Sequence, residues 1–197
     1  MIMYHGTCRL FSRFELGHLG EGEGKSKFGH GIYLTSSRAT AAMYAAKAAQ
    51  CNHADTLYIY SIEIPDLTPT NHLFSCRSVH PDIVERVGQA LGISVPQEAI
   101  ALGKYYRKFL ANHLIGNMRT VKQMIGSASA EAENAVTAFL PTVGVPYLAW
   151  PHSQSNPDGD VNVAVLDTNL IRILGIEQVE VDAKRRLIAG SERQITV

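Results

Sequence analysis

Phe28-Gly29-His30-Gly31-Ile32-Tyr33-Leu34-Thr35, running straight into the alanine-rich segment SSRATAAMYAAKAAQ at 36–50, is the stretch on which the fold turns. Glycines punctuate a short β-prone segment, so a strand is expected near 32–35. Residues 36–50 predict a helix, because alanine is the strongest helix former and a serine stands ready to cap the first turn. On that helix Ala41 and Tyr44 are spaced i, i+3 and share a face.

Upstream, Tyr4-His5-Gly6-Thr7 belongs to a first strand, followed by a long loop rich in glycine. Downstream, LYIYSIEI at 57–64 alternates and stops at Pro65, which predicts another strand. Between Pro81 and Leu140 the pattern turns helical. Helices are expected over 82–91 and 131–140, and a third presents Leu102, Tyr106, Phe109 and His113 on one face, with Lys104 and Lys108 elsewhere around it. After Pro141 strand character returns at 161–166, 170–174, 179–181 and 194–197. Strands at both ends of a helical middle predict a single α+β domain over 1–197, with a helical insertion at about 75–140.

Composition narrows the function classes. The chain has 197 residues, 46% hydrophobic, which is ample for one buried core. With 18 Lys+Arg against 18 Asp+Glu there is no global field to draw nucleic acid or an anionic membrane. No apolar run approaches a membrane span and no secretory signal opens the sequence, so a protein without a membrane partner is expected, cytoplasmic in the producing cell or, if exported by a route that leaves no such signal, in a target cell. Three cysteines, Cys8, Cys51 and Cys76, cannot all pair and lack CxxC spacing.

Three chemistries are set aside on spacing. Gly20-Glu21-Gly22-Glu23-Gly24-Lys25-Ser26 looks like a phosphate loop, but the first glycine of that pattern falls on Leu19, and two glutamates would repel phosphate. A solvated loop is the expected reading. Cys51, His53, Cys76 and His80 lack the paired spacing of a zinc site, so no metal is expected. No GxSxG frames a nucleophilic serine.

Taken together, Tyr4-His5-Gly6-Thr7, then Gly29-His30-Gly31-Ile32-Tyr33, then Ala41-Ala42-Met43-Tyr44 resemble the ADP-ribosyltransferase superfamily. The likeness is to the diphtheria-toxin and poly(ADP-ribose) polymerase-like branch, of His-Tyr-Glu signature, and to its toxin- or phage-type members. It covers residues 4–64 and about 143–174. The resemblance implies two small, mostly antiparallel β-sheets forming an NAD cleft, and mono-ADP-ribosyl transfer from NAD, a co-substrate, to a macromolecular acceptor, protein or nucleic acid. It also suggests an antitoxin or immunity partner. His5, Gly6, Thr7, Gly31, Tyr33, Ala41 and Tyr44 form the implied NAD-binding set, and His5, Tyr33 and Asn162 the catalytic set. In this picture His5 binds the adenine-side ribose, the Gly6 backbone grips the carboxamide, and Tyr33 and Tyr44 sandwich the nicotinamide. The physics agrees: a flat cationic ring is held by aromatic faces through stacking and cation–π attraction.

Two positions depart from the family. Ala41 stands where the polymerases carry a serine, at a cost on the order of 0.5–1.5 kcal/mol for the missing hydrogen bond. Asn162, in Asn162-Val163-Ala164-Val165-Leu166-Asp167, stands where the family has its glutamate. Asparagine accepts a hydrogen bond from a ribose hydroxyl but brings no full charge to an oxocarbenium-like transition state. Its presence argues against chain elongation more than against a single transfer. Asp160 and the Gln178-Val179-Glu180 triplet are alternative sources of a carboxylate. NAD hydrolysis and an inactive NAD- or ADP-ribose-binding module are the competing functions.

Overall fold

The computed structural model describes residues 1–18 and 28–196; the loop at 20–26 expected to be solvated lies outside them. Eight strands, β1 (Ile2–Thr7), β2 (Ile32–Thr35), β3 (Leu57–Glu63), β4 (His72–Phe74), β5 (Tyr147–Ser153), β6 (Asn156–Val165), β7 (Arg172–Val179) and β8 (Arg193–Ile195), follow the order β4-β5-β6-β2-β1-β3-β7-β8. Every pairing is antiparallel except that of β4 with β5. The two expected sheets are thus corrected to one. Its continuity rests on a narrow seam, because β1 and β2 share only the registered pair Tyr4↔Thr35, whereas β1 pairs with β3 along its whole length. Two four-stranded halves meet at that seam.

Six helices accompany the sheet: α1 (Arg38–Asn52), α2 (Pro81–Leu91), α3 (Gln97–Ile100), α4 (Gly103–Leu114), α5 (Val121–Gly126) and α6 (Ala130–Thr142). Ser37, not Ser36, caps α1, its side chain accepting from the Thr40 N–H. The alanines of α1 lie flat on β1 and β3, where Ala41, Ala42 and Ala45 are wholly buried against Ile59. Over the other half, α2–α6 bury Tyr106, Leu110, Val136 and Leu140 on Leu148, Trp150 and Ala164. On α4 the expected face holds Tyr106 and Phe109 in the core, with His113 half-buried. Asn112, buried on the same helix, donates to the Met124 and Ser127 carbonyls and so ties α5 down.

Both helical layers occupy one face of the sheet. The opposite face carries a single cluster that runs through both halves, Met3, Ile32, Leu34, Tyr60, Ile62, Tyr147 and Val163, covered by Phe11 and Phe14 from the segment after β1. Strand alternation therefore assigns each side chain to a face. Among the described residues no helix is long and apolar enough to cross a membrane.

Candidate active site

The seam between β1 and β2 is where the expected residues gather, and backbone pairing explains why. Met1 and Ile64 exchange both hydrogen bonds, at 2.6 and 3.1 Å, so alternate positions of β1 from Met3 onward bond β3. Tyr4 and Gly6 then turn their N–H and C=O the other way, towards β2. Tyr4 meets Thr35 there, while Gly6 lies past the last pair and its peptide groups face the opening. Gly6 is also fixed by packing: a Cβ at this position would come within 1.8 Å of the Ala41 carbonyl oxygen.

Ala41 is fully buried beneath β1, so its position is accounted for by this helix-on-strand contact, and it does not line the opening. One turn on, Tyr44 is half-buried, with Lys47 Nζ 5.1 Å from its ring centroid. That face already holds a cation. Thr7 closes β1, its hydroxyl accepting from the Arg9 N–H at 3.2 Å.

β2 and β6 supply the floor. Cross-strand register places Leu148, Ala164 and Tyr33 in one row, and Trp150, Asn162 and Thr35 in the next, all on the helical face. Gly31, at φ +153°, brings the chain onto β6 so closely that a Cβ would meet Ala164 and the Val165 carbonyl at 3.0 Å. The Tyr33 hydroxyl donates to the Gly29 carbonyl at 2.7 Å and accepts from the Phe28 N–H at 3.2 Å. Its ring meets Trp150 edge-on at 5.0 Å, and Trp150 stacks on Phe28 at 4.5 Å. Burial pushes the Tyr33 phenol up to about 12, partly opposed by the hydrogen bond from the Phe28 N–H.

Asn162 is buried between Trp150 and Thr35, and among the described residues its carboxamide has no hydrogen-bond partner. Two residues earlier on β6, at the irregular part of its pairing with β5, Asp160 is exposed and its carboxylate accepts from the Ser36 hydroxyl at 3.1 Å. Gln178 and Glu180 lie at and beyond β7, with β1 and β3 between them and β2, so the triplet does not join this corner.

His5 stands apart from the rest. Alternation sends its side chain to the opposite face, where it packs edge-on against Phe14 at 5.1 Å and near Phe11 and Tyr60. From there Nδ1 donates across the seam to the Tyr33 carbonyl at 2.8 Å. A carbonyl only accepts, so the proton sits on Nδ1 and the neutral ring leaves Nε2 as an acceptor. Burial lowers its pKa, partly opposed by that bond, and favours the neutral form.

Sequence reasoning missed Phe28, Trp150 and a buried ion pair between Arg107 of α4 and Glu133 of α6 beside this floor. Arg107 and Glu133 are 26 positions apart, on helices that carry no motif. Cys8, Cys51 and Cys76 are free, and among the described residues no three His, Cys, Asp or Glu side chains cluster to hold a metal ion. Compared with family models, curated proteins and solved structures, the chain matches none.

Proposed function

We propose that this chain is a mono-ADP-ribosyltransferase that takes NAD into the opening between β1 and β2. One observation carries the reading: the two strands part after Tyr4↔Thr35, leaving the Gly6 peptide groups to face a gap beside Tyr33 of β2, with Tyr44 one turn along α1 from the Ala41 that packs on Gly6. A carboxamide needs one donor and one acceptor in fixed relation, and an exposed glycine peptide edge offers both. The tyrosine faces suit a cationic nicotinamide ring. His5, on the opposite face, bears on the opening only through its Nδ1 bond to the Tyr33 carbonyl.

In the reaction the bond between ribose C1′ and the nicotinamide nitrogen breaks, and its electron pair leaves with nicotinamide. An acceptor nucleophile then bonds C1′ and gives up a proton. Asn162 accepts from a ribose hydroxyl near the reacting carbon, and exposed Asp160, two residues earlier on β6, brings a carboxylate. An uncharged side chain at 162 fits a single transfer to a reactive acceptor.

Trp150 is the chain's one tryptophan and lies 5.0 Å from Tyr33, so NAD titration is read by its fluorescence. Saturable quenching, nicotinamide release and an ADP-ribose mass on an acceptor support the proposal. Release without labelling selects hydrolysis, binding without release selects a recognition module, and no binding overturns the cleft reading. Asn162→Glu raises nicotinamide release roughly tenfold or more if position 162 faces the ribose.

A further inference from the structure

The buried Arg107–Glu133 pair explains how Tyr33 is held, an inference that rests on the cleft reading above. Arg107 is 4% exposed and Glu133 9%. Burying two charges is costly in desolvation, and such pairs are often replaceable by apolar side chains without loss of stability. Their surroundings supply another role.

The Arg107 side chain lies against Gly29, where a Cβ would come within 3.0 Å of Nη1 and 2.5 Å of Leu148 Cδ1. Gly29 sits at φ +111°, a conformation that side chains other than glycine's rarely adopt. Its carbonyl is the acceptor of the Tyr33 hydroxyl. α6 grips the next residue twice, with Thr137 Oγ1 donating to the His30 carbonyl at 3.3 Å and Asn134 Oδ1 accepting from His30 Nδ1 at 2.5 Å. The pair joins α4 to α6, both helices press on residues 29–30, and that segment fixes the Tyr33 hydroxyl.

We propose that Arg107 and Glu133 are positioning residues: by locking α4 and α6 onto the Gly29 turn, they set the orientation of the Tyr33 ring that stacks on nicotinamide. The helical insertion then acts on the site through the Gly29 turn.

The test is the double variant Arg107→Met/Glu133→Leu, which fills the same space without charge. Melting temperature separates stability from positioning, and Trp150, 6% exposed beneath Phe28 and beside Tyr33, reports the turn. The expected result is a fold that melts like the parent, acrylamide quenching of Trp150 raised about twofold or more, and KM for NAD raised about tenfold with kcat little changed, as loss of uniform binding requires. Unchanged quenching and KM in a variant that melts like the parent overturn the proposal. If the double variant does not fold, Glu133→Gln, which keeps the shape, is read by the same criteria. If the parent fails to bind NAD the cleft reading falls, while Trp150 quenching still decides whether the pair positions the turn.

Discussion

The two helical layers on the cleft face are fastened to the sheet by opposite means. α1 meets β1 backbone to backbone, alanine on glycine, with Gly6 directly beneath the Ala41 carbonyl. α4 and α6 reach the approach to β2 through ionised, hydroxyl and amide groups: Arg107, Glu133, Thr137 and Asn134. The first contact has no flexible part that can yield, whereas the second can be rebuilt from other side chains. The α1 side should therefore fail abruptly and the α4–α6 side by degrees.

The sharpest break is Gly6→Ala. The new methyl would sit 1.8 Å from backbone, so α1 must lift away and expose its alanine face. A loss on the order of 5 kcal/mol, or no folded protein, is expected in urea unfolding, at the upper end of single substitutions. A melt close to the parent would remove the backbone contact from the account. Next comes Arg107→Ala, which strands Glu133 as a buried unpaired charge and costs about 3 kcal/mol. The contrast holds only if the apolar double replacement recovers most of that loss; if it does not, the pair is needed for stability itself.

The same contrast explains what the sequence could disclose. α1 was legible because alanine composition and a serine cap are local signals, β3 because alternation is local too, and of β6 only the apolar stretch from Val161 was read. β5 hid because it is buried on both faces over Tyr147–Pro151, so nothing alternates, and Pro151 reads as a breaker. β4 has three residues and one buried side chain, Leu73, too little to register. Gly175 lies inside β7 where the register with β3 shifts, so that one strand over Arg172–Val179 takes the place of those expected at 170–174 and 179–181. The single sheet depends on one registered pair, Tyr4↔Thr35, between strands separated by residues 8–31. In the site, Tyr33, Tyr44 and Asn162 carried short motifs, while Trp150 and Arg107–Glu133 reach the floor only through tertiary packing.

A smaller effect is expected at the turn that links the two sides. Tyr33→Phe removes the donor to the Gly29 carbonyl and leaves the Phe28 N–H without its acceptor, at a cost of about 1 kcal/mol. Thermal melts should show a drop of a few degrees, with Trp150 emission altered. A larger loss than that of Arg107→Ala would reverse the order proposed for the α4–α6 side.

His5 gives the smallest effect and the one most specific to the seam. Its ring crosses from the face shared by both halves to the Tyr33 carbonyl, and burial holds its pKa below the ordinary value near 6.5. Above that value both folded and unfolded chains carry the neutral ring, and its contribution to stability is complete. Between about 6.5 and the lower folded value, the unfolded chain binds a proton that the folded chain does not, so stability declines as pH falls. His72 is lowered in the same direction, again mainly by burial, so the parent's slope contains both groups. The decisive quantity is a difference: on going from about pH 7.5 to 5.5, His5→Phe should lose less stability than the parent. Equal losses would mean that His5 is as free to take a proton in the folded chain as in the unfolded one, and the seam would then be held by the Tyr4↔Thr35 pair and the packing on either side of it.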